Sequence, residues 1–300
     1  MQEKNGSSIL VKSILIIVIS AVLFLPQLGS VYLFDWDEIN FAEAAREMIV
    51  TGDYLTVRID YEPFHEKPPF FFWMQAASMH IFGINEFAAR LPNAIMGAVS
   101  LLLMFLIGRK FFDEKFGLLW MLVYAGSFLP HFYFRSGIID PAFNLLIFLS
   151  IYYLARLYHQ RIYNEDSSKF PVNLILAGAF ASLAILTKGP VAYLLIFLAW
   201  IAYWFFNRRV LNFPWRDIMI FSIVAALPTV IWYAAVFINT GSENILMEFI
   251  DYQIRLLTTK DAGHGGPLYY HFVVILFGCF PASMLFFGGM RRRLSDKFRQ

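Results

Sequence analysis

The chain has 300 residues, of which 59% are hydrophobic and only 15% are charged, and its net charge is +2. This composition is too apolar for an ordinary soluble domain and indicates an integral membrane protein. The basic residues form short clusters beside apolar runs, which argues against nucleic acid as a partner. The single cysteine, Cys279, lies in an apolar run, so this chain alone cannot build a disulfide framework or a cysteine-based metal site.

Apolar windows recur along the whole chain. A membrane-spanning helix needs about 20 predominantly apolar residues, and eight windows approach or meet that length. We therefore predict an all-α fold, a polytopic membrane helix bundle of about eight spans. The first window could be a signal peptide, but its length and its lack of a small-x-small cleavage site favour an uncleaved span. The windows are 9–28, 91–107, 116–134, 138–157, 172–186, 191–206, 218–238 and 268–288.

The distribution of lysine and arginine predicts the orientation of the chain. These residues are concentrated in the inner connections if the N-terminus is cytoplasmic, as the positive-inside rule requires. In this topology two outer segments are long enough to be more than turns, 29–90 and 239–267. We therefore look for chemistry on the outer face.

The first outer segment carries signals for two helices. Asp37 can cap a helix over 38–49 that Gly52 would end. Pro68 and the proline after it can open a second helix over 70–82. We predict that both are amphipathic juxtamembrane helices lying along the membrane surface. The charged residues predicted to lie away from the apolar face of the first helix are Glu38, Glu43, Arg46 and Glu47.

Three residues of this segment could carry chemistry. The carboxylate of Asp37 would be stabilised as an anion by the helix dipole and could act as a general base, although simple helix capping is the alternative. Lys67 suits a phosphate oxygen. Glu66 could orient that lysine or bind a divalent metal, and a plain Glu-Lys pair in a turn is the simpler interpretation.

Further candidates lie outside the first segment. Lys188 follows a short apolar run, where it could extend to the outer interface or bind phosphate. Arg135 and Asp140 flank the connection between two spans and are either interface residues or functional ones. His264 lies in a glycine-rich loop and is either solvated or a metal ligand.

Several of these residues belong to motifs that occur in a fixed order along nearly the whole chain. The motifs include Asp37-Glu38, Phe64-His65-Glu66-Lys67-Pro68-Pro69, Ala89-Arg90-Leu91-Pro92, Thr187-Lys188-Gly189-Pro190 and Pro267-Leu268-Tyr269-Tyr270. Their order resembles the aminoarabinose transferases that modify lipid A. Those enzymes belong with the dolichyl-phosphate-mannose protein mannosyltransferases among the polyprenyl-phosphate-dependent (C-type) glycosyltransferases.

The resemblance implies an integral membrane glycosyltransferase on the outer face of the inner membrane. Such an enzyme moves a sugar from an undecaprenyl-phosphate donor to a lipid A-like or protein acceptor, with no organic cofactor. The candidate site residues are Asp37 and Glu38 for catalysis, Lys67, Lys188 and Arg135 for the donor phosphate, and Glu66 with His264 for a divalent metal ion.

The chain also departs from the family pattern. The family usually has arginine and tyrosine shortly after its Asp-Glu pair, where this chain has Asn40 and Phe41, so a different sugar or acceptor is plausible. We also expect the chain to lack the C-terminal outer domain of longer relatives. Two other functions remain open, a transporter or flippase for a lipid-linked sugar and a catalytically inactive subunit that binds a lipid phosphate. The charges gathered at the outer face and the lack of an internal repeat favour the transferase over the transporter.

Overall fold

The computed structural model of the protein describes residues 2–34, 36–162, 170–206, 214–241, 244–258 and 269–297. Within these residues the chain is mostly helical, with one short pair of strands, which confirms the predicted all-α class. The helices are α1 Gln2–Phe24, α2 Asp37–Thr51, α3 Phe70–Phe82, α4 Glu86–Phe111, α5 Glu114–Ala125, α6 Phe128–Tyr133, α7 Asp140–Ile162, α8 Phe170–Lys188, α9 Val191–Phe206, α10 Trp215–Thr240, α11 Asn244–Thr258, α12 Tyr270–Gly278 and α13 Ala282–Lys297. The strands β1 Arg58–Ile59 and β2 Glu62–Pro63 pair in antiparallel fashion.

The eight predicted windows all coincide with helical structure, but they differ in length and continuity. Five helices in the described part of the chain are long and apolar enough to cross a membrane, namely α1, α4, α7, α8 and α10. The pair α12 and α13 would make a sixth span, bent by 103° before Pro281, which cannot continue a helix in the ordinary way. The window 116–134 is divided between α5 and α6 around Gly126, and α9 has only 16 residues.

The chain divides into two compact units. The first unit comprises Met1–Glu38, Phe82–Pro141 and Lys260–Gln300, and the second comprises Ile39–Ile81 and Ala142–Thr259. In the first unit α1 and α5 both pack on α4. A side chain at Gly117 would place its Cβ 2.5 Å from the carbonyl oxygen of Phe105, so α4 and α5 approach closely only because this residue is glycine.

The second unit is built around α8, which packs on α10 and α9. Small residues allow this packing. A Cβ at Gly178 would lie 2.8 Å from the Cβ of Val224, while Ala177, Ala181 and Ala184 are completely buried in the same core. Close helix approach through small side chains is typical of membrane helices, where lipid supplies no hydrophobic force between them.

The two helices of the first outer segment begin and end close to where the sequence predicts. α2 runs to Thr51, and Gly52 follows with a φ of +72°; α3 occupies Phe70–Phe82, and Gly83 follows with a φ of +81°. Both glycines adopt the left-handed conformation that commonly ends a helix. The prediction that Glu38 and Glu47 lie away from the packed face is wrong, because both side chains are buried, where their carboxylates accept backbone hydrogen bonds.

Candidate functional site

The start of α2 places two adjacent carboxylates in different environments. The helix begins at Asp37, which is therefore its first residue instead of the predicted cap, and Glu38 follows in the same first turn. Asp37 is exposed, whereas Glu38 is only 2% exposed. Both anions benefit from the positive end of the helix dipole. Only Asp37, however, is accessible to another molecule.

Glu38 forms a buried, two-pronged ion pair with Arg90 of α4. The Nε and Nη2 atoms of Arg90 donate to Oε1 and Oε2 of Glu38, each at 2.8 Å. The amide of Phe34 donates to Oε2 at 2.6 Å, and the amide of Gly137 donates to Oε1 at 2.5 Å. Each carboxylate oxygen therefore accepts two hydrogen bonds. No acceptor position remains for a substrate proton, so this geometry favours a positioning role for Glu38 over the predicted catalytic role.

Arg90 also uses its remaining donors within the first unit. Its Nη1 donates to the carbonyl oxygens of Leu28 at 2.9 Å and Val31 at 2.8 Å, and its Nη2 donates to that of Tyr32 at 2.9 Å. Together with the two bonds to Glu38, these occupy all five N–H groups of the guanidinium. Arg90 thus fixes the backbone that leads from α1 into α2.

The charge state of Glu38 follows from the same contacts. Burial alone raises the pKa of this carboxyl group, since a charge is costly away from water. The hydrogen bonds from Arg90 and from the amides of Phe34 and Gly137 outweigh burial and hold the pKa of Glu38 below its usual value of 4.5. Glu38 is therefore an anion at neutral pH.

A cavity of about 470 Å³ opens beside this ion pair in the first unit, and Arg135 lines it together with Glu38 and Arg90. The guanidinium of Arg135 donates to two neutral acceptors, the carbonyl oxygens of Pro26 at 2.7 Å and Leu23 at 3.4 Å. Among the described residues no carboxylate pairs with it. Since Glu38 neutralises Arg90, the charge of Arg135 leaves the cavity positive and suited to an anion.

Two further acidic residues act on a side chain of this cavity. Tyr133 lines the wall and interacts electrostatically with Asp140 and Asp37. Asp37 itself makes no hydrogen bond within the described residues. The exposed carboxylate at the start of α2 therefore lies within electrostatic reach of the cavity wall.

A second group of charged side chains lies in the second unit, where the His65-Glu66-Lys67 segment meets α11. Residues 248, 252 and 255 are four and three positions apart, so they share one face of α11. The ammonium of Lys67 donates to Oη of Tyr252 at 2.7 Å and lies 4.5 Å from the centre of that ring. His65 pairs through Nδ1 with Glu248.

Glu66 lies between two cations of this group. One of its oxygens is 4.0 Å from the ammonium of Lys67, and the other is 3.8 Å from the guanidinium of Arg255. Arg255 also lies over the ring of Tyr252, 5.5 Å from its centre. Two cations thus share one carboxylate. Lysine and arginine side chains are the groups that bind phosphate in proteins, so the two cations are candidates for a phosphate contact.

Of the predicted metal pair, Glu66 belongs to the described residues and His264 lies outside them. A carboxylate and an imidazole are suitable ligands for a divalent ion. The carboxylate of Glu66 is, however, already shared by Lys67 and Arg255. The described ranges contain no group of three or more histidine, cysteine or acidic side chains that could hold a metal. The described ligands do not complete a site, and the metal pair stays a prediction.

Lys188 is the last residue of α8, where the helix ends on Gly189 with a φ of +88°. Its ammonium lies 5.7 Å from the ring centre of Phe143. The predicted site residues are thus distributed between the units. Asp37, Glu38 and Arg135 belong to the first, and Glu66, Lys67 and Lys188 belong to the second.

The sequence interpretation missed several residues of these two groups. Arg90 was part of a motif but received no role, although an arginine at the start of an apolar run is a functional candidate by default. α11 falls in a segment treated only as a loop, yet its polar residues Glu248, Tyr252 and Arg255 recur at helical spacing. That spacing was the signal that could have found it.

A hairpin supports the segment that leads to His65. Asp60 and Tyr61 form its turn with φ values of +56° and +62°, in the left-handed region. Both oxygens of the buried Glu47 accept from the amide of Tyr61, at 3.1 and 3.0 Å. Left-handed backbone is unfavourable for residues with a side chain, so the carboxylate stabilises a strained turn.

Replacing Glu47 with alanine should destabilise the protein by about 1–3 kcal/mol, because the amide of Tyr61 would lose its hydrogen bonds to a buried carboxyl group. The measurement is the thermal unfolding midpoint in detergent. Glu43→Ala is the matched control, since Glu43 lies on the same helix and pairs with the partly exposed Arg46. Equal midpoints for the two variants would contradict the role given to Glu47.

The sequence matches a known protein family and several of its relatives. A family profile described as dolichyl-phosphate-mannose-protein mannosyltransferase matches residues 66–232. The undecaprenyl phosphate-alpha-4-amino-4-deoxy-L-arabinose arabinosyl transferase of Pseudomonas aeruginosa (strain UCBPP-PA14) is 26% identical over 291 residues, which is 94% of this chain and 51% of that protein. The protein of the same name from Pectobacterium atrosepticum is 24% identical and covers 97% of this chain and 51% of its own length.

Solved structures show the same fold. The crystal structure of ArnT from Cupriavidus metallidurans bound to undecaprenyl phosphate superimposes with a TM-score of 0.80 at 22% identity, covering 91% of this chain and 49% of that one. The apo structure of the same protein gives a TM-score of 0.78 at 22% identity, covering 93% and 51%. This chain thus spans about half the length of the relatives that it matches.

The apolar helices and these relatives together indicate a multi-pass inner-membrane protein. The profile match includes the segment with Glu66 and Lys67 as well as Lys188, the same motifs whose order carries the resemblance. Because that match covers more than half of the chain, the protein belongs to the dolichyl-phosphate-mannose-protein mannosyltransferase family of polyprenyl-phosphate-dependent glycosyltransferases.

Proposed function

We propose that the protein takes part in moving a sugar from undecaprenyl phosphate to a lipid or protein acceptor on the outer face of the inner membrane. The observation that carries the proposal is the alignment of 94% of the chain with an undecaprenyl phosphate-aminoarabinose arabinosyl transferase. The concentration of basic residues in the predicted inner connections supports a cytoplasmic N-terminus and an outer-facing site.

Asp37 serves the acceptor in this reaction. An acceptor oxygen attacks the anomeric carbon of the sugar, and the bond between that carbon and the donor phosphate breaks with its electron pair on the phosphate oxygen. The carboxylate of Asp37 takes the proton that the acceptor hydroxyl loses. A single displacement of this kind inverts the anomeric carbon. A phosphate acceptor is already ionised, so with it Asp37 would act mainly by orienting the attacking oxygen.

Positively charged side chains stabilise the leaving group in this proposal. Undecaprenyl phosphate gains negative charge as it departs, and fixed cations stabilise that charge in the transition state. Lys67 is the main candidate, because Tyr252 holds its ammonium and Arg255 adds a second positive charge nearby. Lys188 and Arg135 are further candidates for phosphate contacts. A divalent ion on Glu66 and His264 remains part of the proposal, but none of the steps above depends on it.

The experiment is sugar transfer in membranes that contain the protein, with labelled undecaprenyl-phosphate sugar and mass spectrometry of the product. Lys67→Gln should lower kcat/KM for the donor by about 10²-fold, the usual order for removing one electrostatic contact to a transition state. Tyr252→Phe should cost about tenfold, because the ammonium loses one hydrogen-bond partner but keeps its charge.

Lys12→Gln is the matched control, since Lys12 pairs with Glu114 at 2.5 Å in the first unit and has no role in the proposed reaction. Its kcat/KM should equal that of the wild type. If the wild type forms no glycosylated product but moves labelled lipid across the membrane, the protein is a transporter and the proposal is wrong. Binding of the donor with neither product nor movement would instead indicate a lipid-phosphate-binding subunit.

A further inference from the structure

An apolar groove lies between α7 and α9 of the second unit. Two neighbouring cavities form it, one of about 210 Å³ and a smaller one of about 70 Å³. Both are lined by Leu154, Ile196 and Trp200, so we treat them as one feature, the α7–α9 groove. The lining includes none of the residues to which the proposed reaction assigns a role.

The dimensions of the groove match one leaflet of a bilayer. Its lining on α9 extends from Tyr193 to Tyr203. Ten residues of helix rise about 15 Å, and half of the hydrocarbon core of a bilayer is also about 15 Å. The walls are formed by aliphatic and aromatic side chains. Their polar atoms contact other protein groups: Trp200 donates a hydrogen bond to Tyr158 at 3.1 Å, and the hydroxyl groups of Tyr193 and Ser222 lie 2.9 Å apart. Such a space offers water few partners, so hydrocarbon is the chemistry that fits it.

Basic side chains gather at one end of the groove, where α7 ends and α10 begins. Arg161 forms an ion pair with Asp217, and both interact electrostatically with Tyr158 of the wall. Arg216 is exposed two residues before the wall residue Ile218, and no carboxylate pairs with it in the part of the chain that is described. Among the residues that the structure describes, Arg161 and Arg216 therefore outnumber Asp217 at this end.

We propose that the α7–α9 groove binds one acyl chain of an anionic glycerophospholipid whose headgroup faces Arg216. Shape and charge both support this occupant. The groove has the length of a single leaflet, which suits an acyl chain better than the much longer polyprenyl chain of the donor. The charge at its end complements an anionic headgroup better than a zwitterionic one. Trp215, which is 69% exposed beside Arg216, fits the interfacial position of aromatic residues.

The test uses the full chain in nanodiscs of phosphatidylcholine that contain increasing fractions of phosphatidylglycerol brominated on its acyl chains. Bromine quenches tryptophan fluorescence at contact. The contribution of Trp200 is the difference between the wild type and the Trp200→Phe variant. We expect the fluorescence of Trp200 to be quenched at a lower fraction of brominated phosphatidylglycerol than of brominated phosphatidylcholine.

Two variants and a matched control separate the groove from general lipid contact. Ala199→Phe fills the groove and should abolish the preferential quenching. Leu198→Phe is the matched control, because it adds comparable bulk at a position that is 50% exposed and outside the lining. It should leave the preferential quenching unchanged. Arg216→Gln alters an exposed residue and should reduce the preference for phosphatidylglycerol about fivefold, the usual contribution of one arginine near an anionic membrane surface.

Several results would overturn the proposal. Equal quenching by the two brominated lipids would indicate ordinary lipid contact. Identical behaviour of Ala199→Phe and Leu198→Phe would show that the groove is not the binding place. Relief of quenching by undecaprenyl phosphate, but not by unbrominated phosphatidylglycerol, would assign the groove to the donor chain. Since sugar transfer is measured separately, each of these results leaves the proposed function untouched.

Discussion

The Asp37→Asn variant should lose sugar transfer by about 10²–10⁴-fold, the range expected when a positioned general base is removed. Asparagine has nearly the same shape as aspartate but cannot accept a proton at neutral pH. The side chain is exposed, and within the described residues it makes no hydrogen bond that holds the fold. The loss should therefore fall on kcat, with the helical content unchanged and the free energy of unfolding lowered by only about 0.3–1 kcal/mol, the usual contribution of a charge at a helix terminus.

The matched control for Asp37→Asn is Glu43→Gln, which removes a negative charge from the same helix, where it pairs with Arg46 at 2.6 Å. Turnover of this control should remain close to that of the wild type. The loss in Asp37→Asn should also be larger with a hydroxyl acceptor than with a phosphate acceptor, which needs no deprotonation. Turnover of Asp37→Asn within about twofold of the wild type, an effect below 0.5 kcal/mol, would rule out the proposed role.

The second large effect is expected at the buried pair of Glu38 and Arg90. Arg90→Met should destabilise the protein by about 3–5 kcal/mol, because it leaves a buried carboxylate without its cation. It also deprives the carbonyl oxygens of Leu28, Val31 and Tyr32 of their donor. Glu38→Gln should have a smaller effect, since one side-chain oxygen remains to accept hydrogen bonds. The measurement is the free energy of unfolding in mixed detergent micelles.

The double variant Glu38→Gln/Arg90→Met distinguishes the ion pair from the backbone contacts. If the uncompensated charge causes most of the loss, the double variant should be more stable than Arg90→Met alone. It should not recover wild-type stability, because the three carbonyl groups still lack a donor. Full additivity of the two single changes would show that the side chains do not interact energetically.

The same pair should make stability depend on pH in the acid range. The pKa of Glu38 is lowered on folding, so its contribution is present above the usual pKa of 4.5 and is lost as the pH falls through the lower folded-state value. The wild type should therefore lose stability on acidification more steeply than Glu38→Gln, whose residue 38 does not titrate. Parallel pH profiles for the two proteins would contradict the assigned charge state.

Helix ends and long spans were predictable from the sequence, because they depend on residues that are close together in the chain. The end of α2 at Gly52 and the bounds of α3 before Gly83 follow from glycine and proline preferences within a few residues. Apolar length likewise located the long spans α1, α4, α7, α8 and α10. The breaks around Gly126 and before Pro281 were missed, because a hydropathy window averages over a single interrupting residue.

Contacts between distant residues account for what the sequence did not reveal. Glu38 looks like a solvated surface carboxylate until Arg90, 52 positions later, is placed against it. Lys67 meets Tyr252 across 185 positions and through a helix that was not predicted. A single sequence does not show which residues pair across such distances, even where one of them, such as Arg90 at the start of an apolar run, stands out in its own segment. The ordered motifs nevertheless led to the correct family.

Phe41 is a residue for which the structure explains a feature of the sequence. The sequence marks it as a departure from the family pattern. The structure shows its ring buried against Phe71 and Phe72, with ring centres 6.2 and 5.6 Å away. At this position the chain therefore uses an aromatic ring for packing, and of the two departures Asn40 is the more exposed.

The adjacent residues Asp37 and Glu38 meet two requirements that a single carboxylate could not meet. A reactive carboxylate has to remain unsatisfied, whereas a stable fold requires that buried charge be fully compensated. Glu38 meets the second requirement through its pair with Arg90, whose five N–H groups all donate hydrogen bonds. Within the described residues, Asp37 makes no hydrogen bond on which the fold depends. A substitution at a neighbouring residue such as Asn40 would therefore leave the pair of Glu38 and Arg90 in place as the anchor of the proposed base.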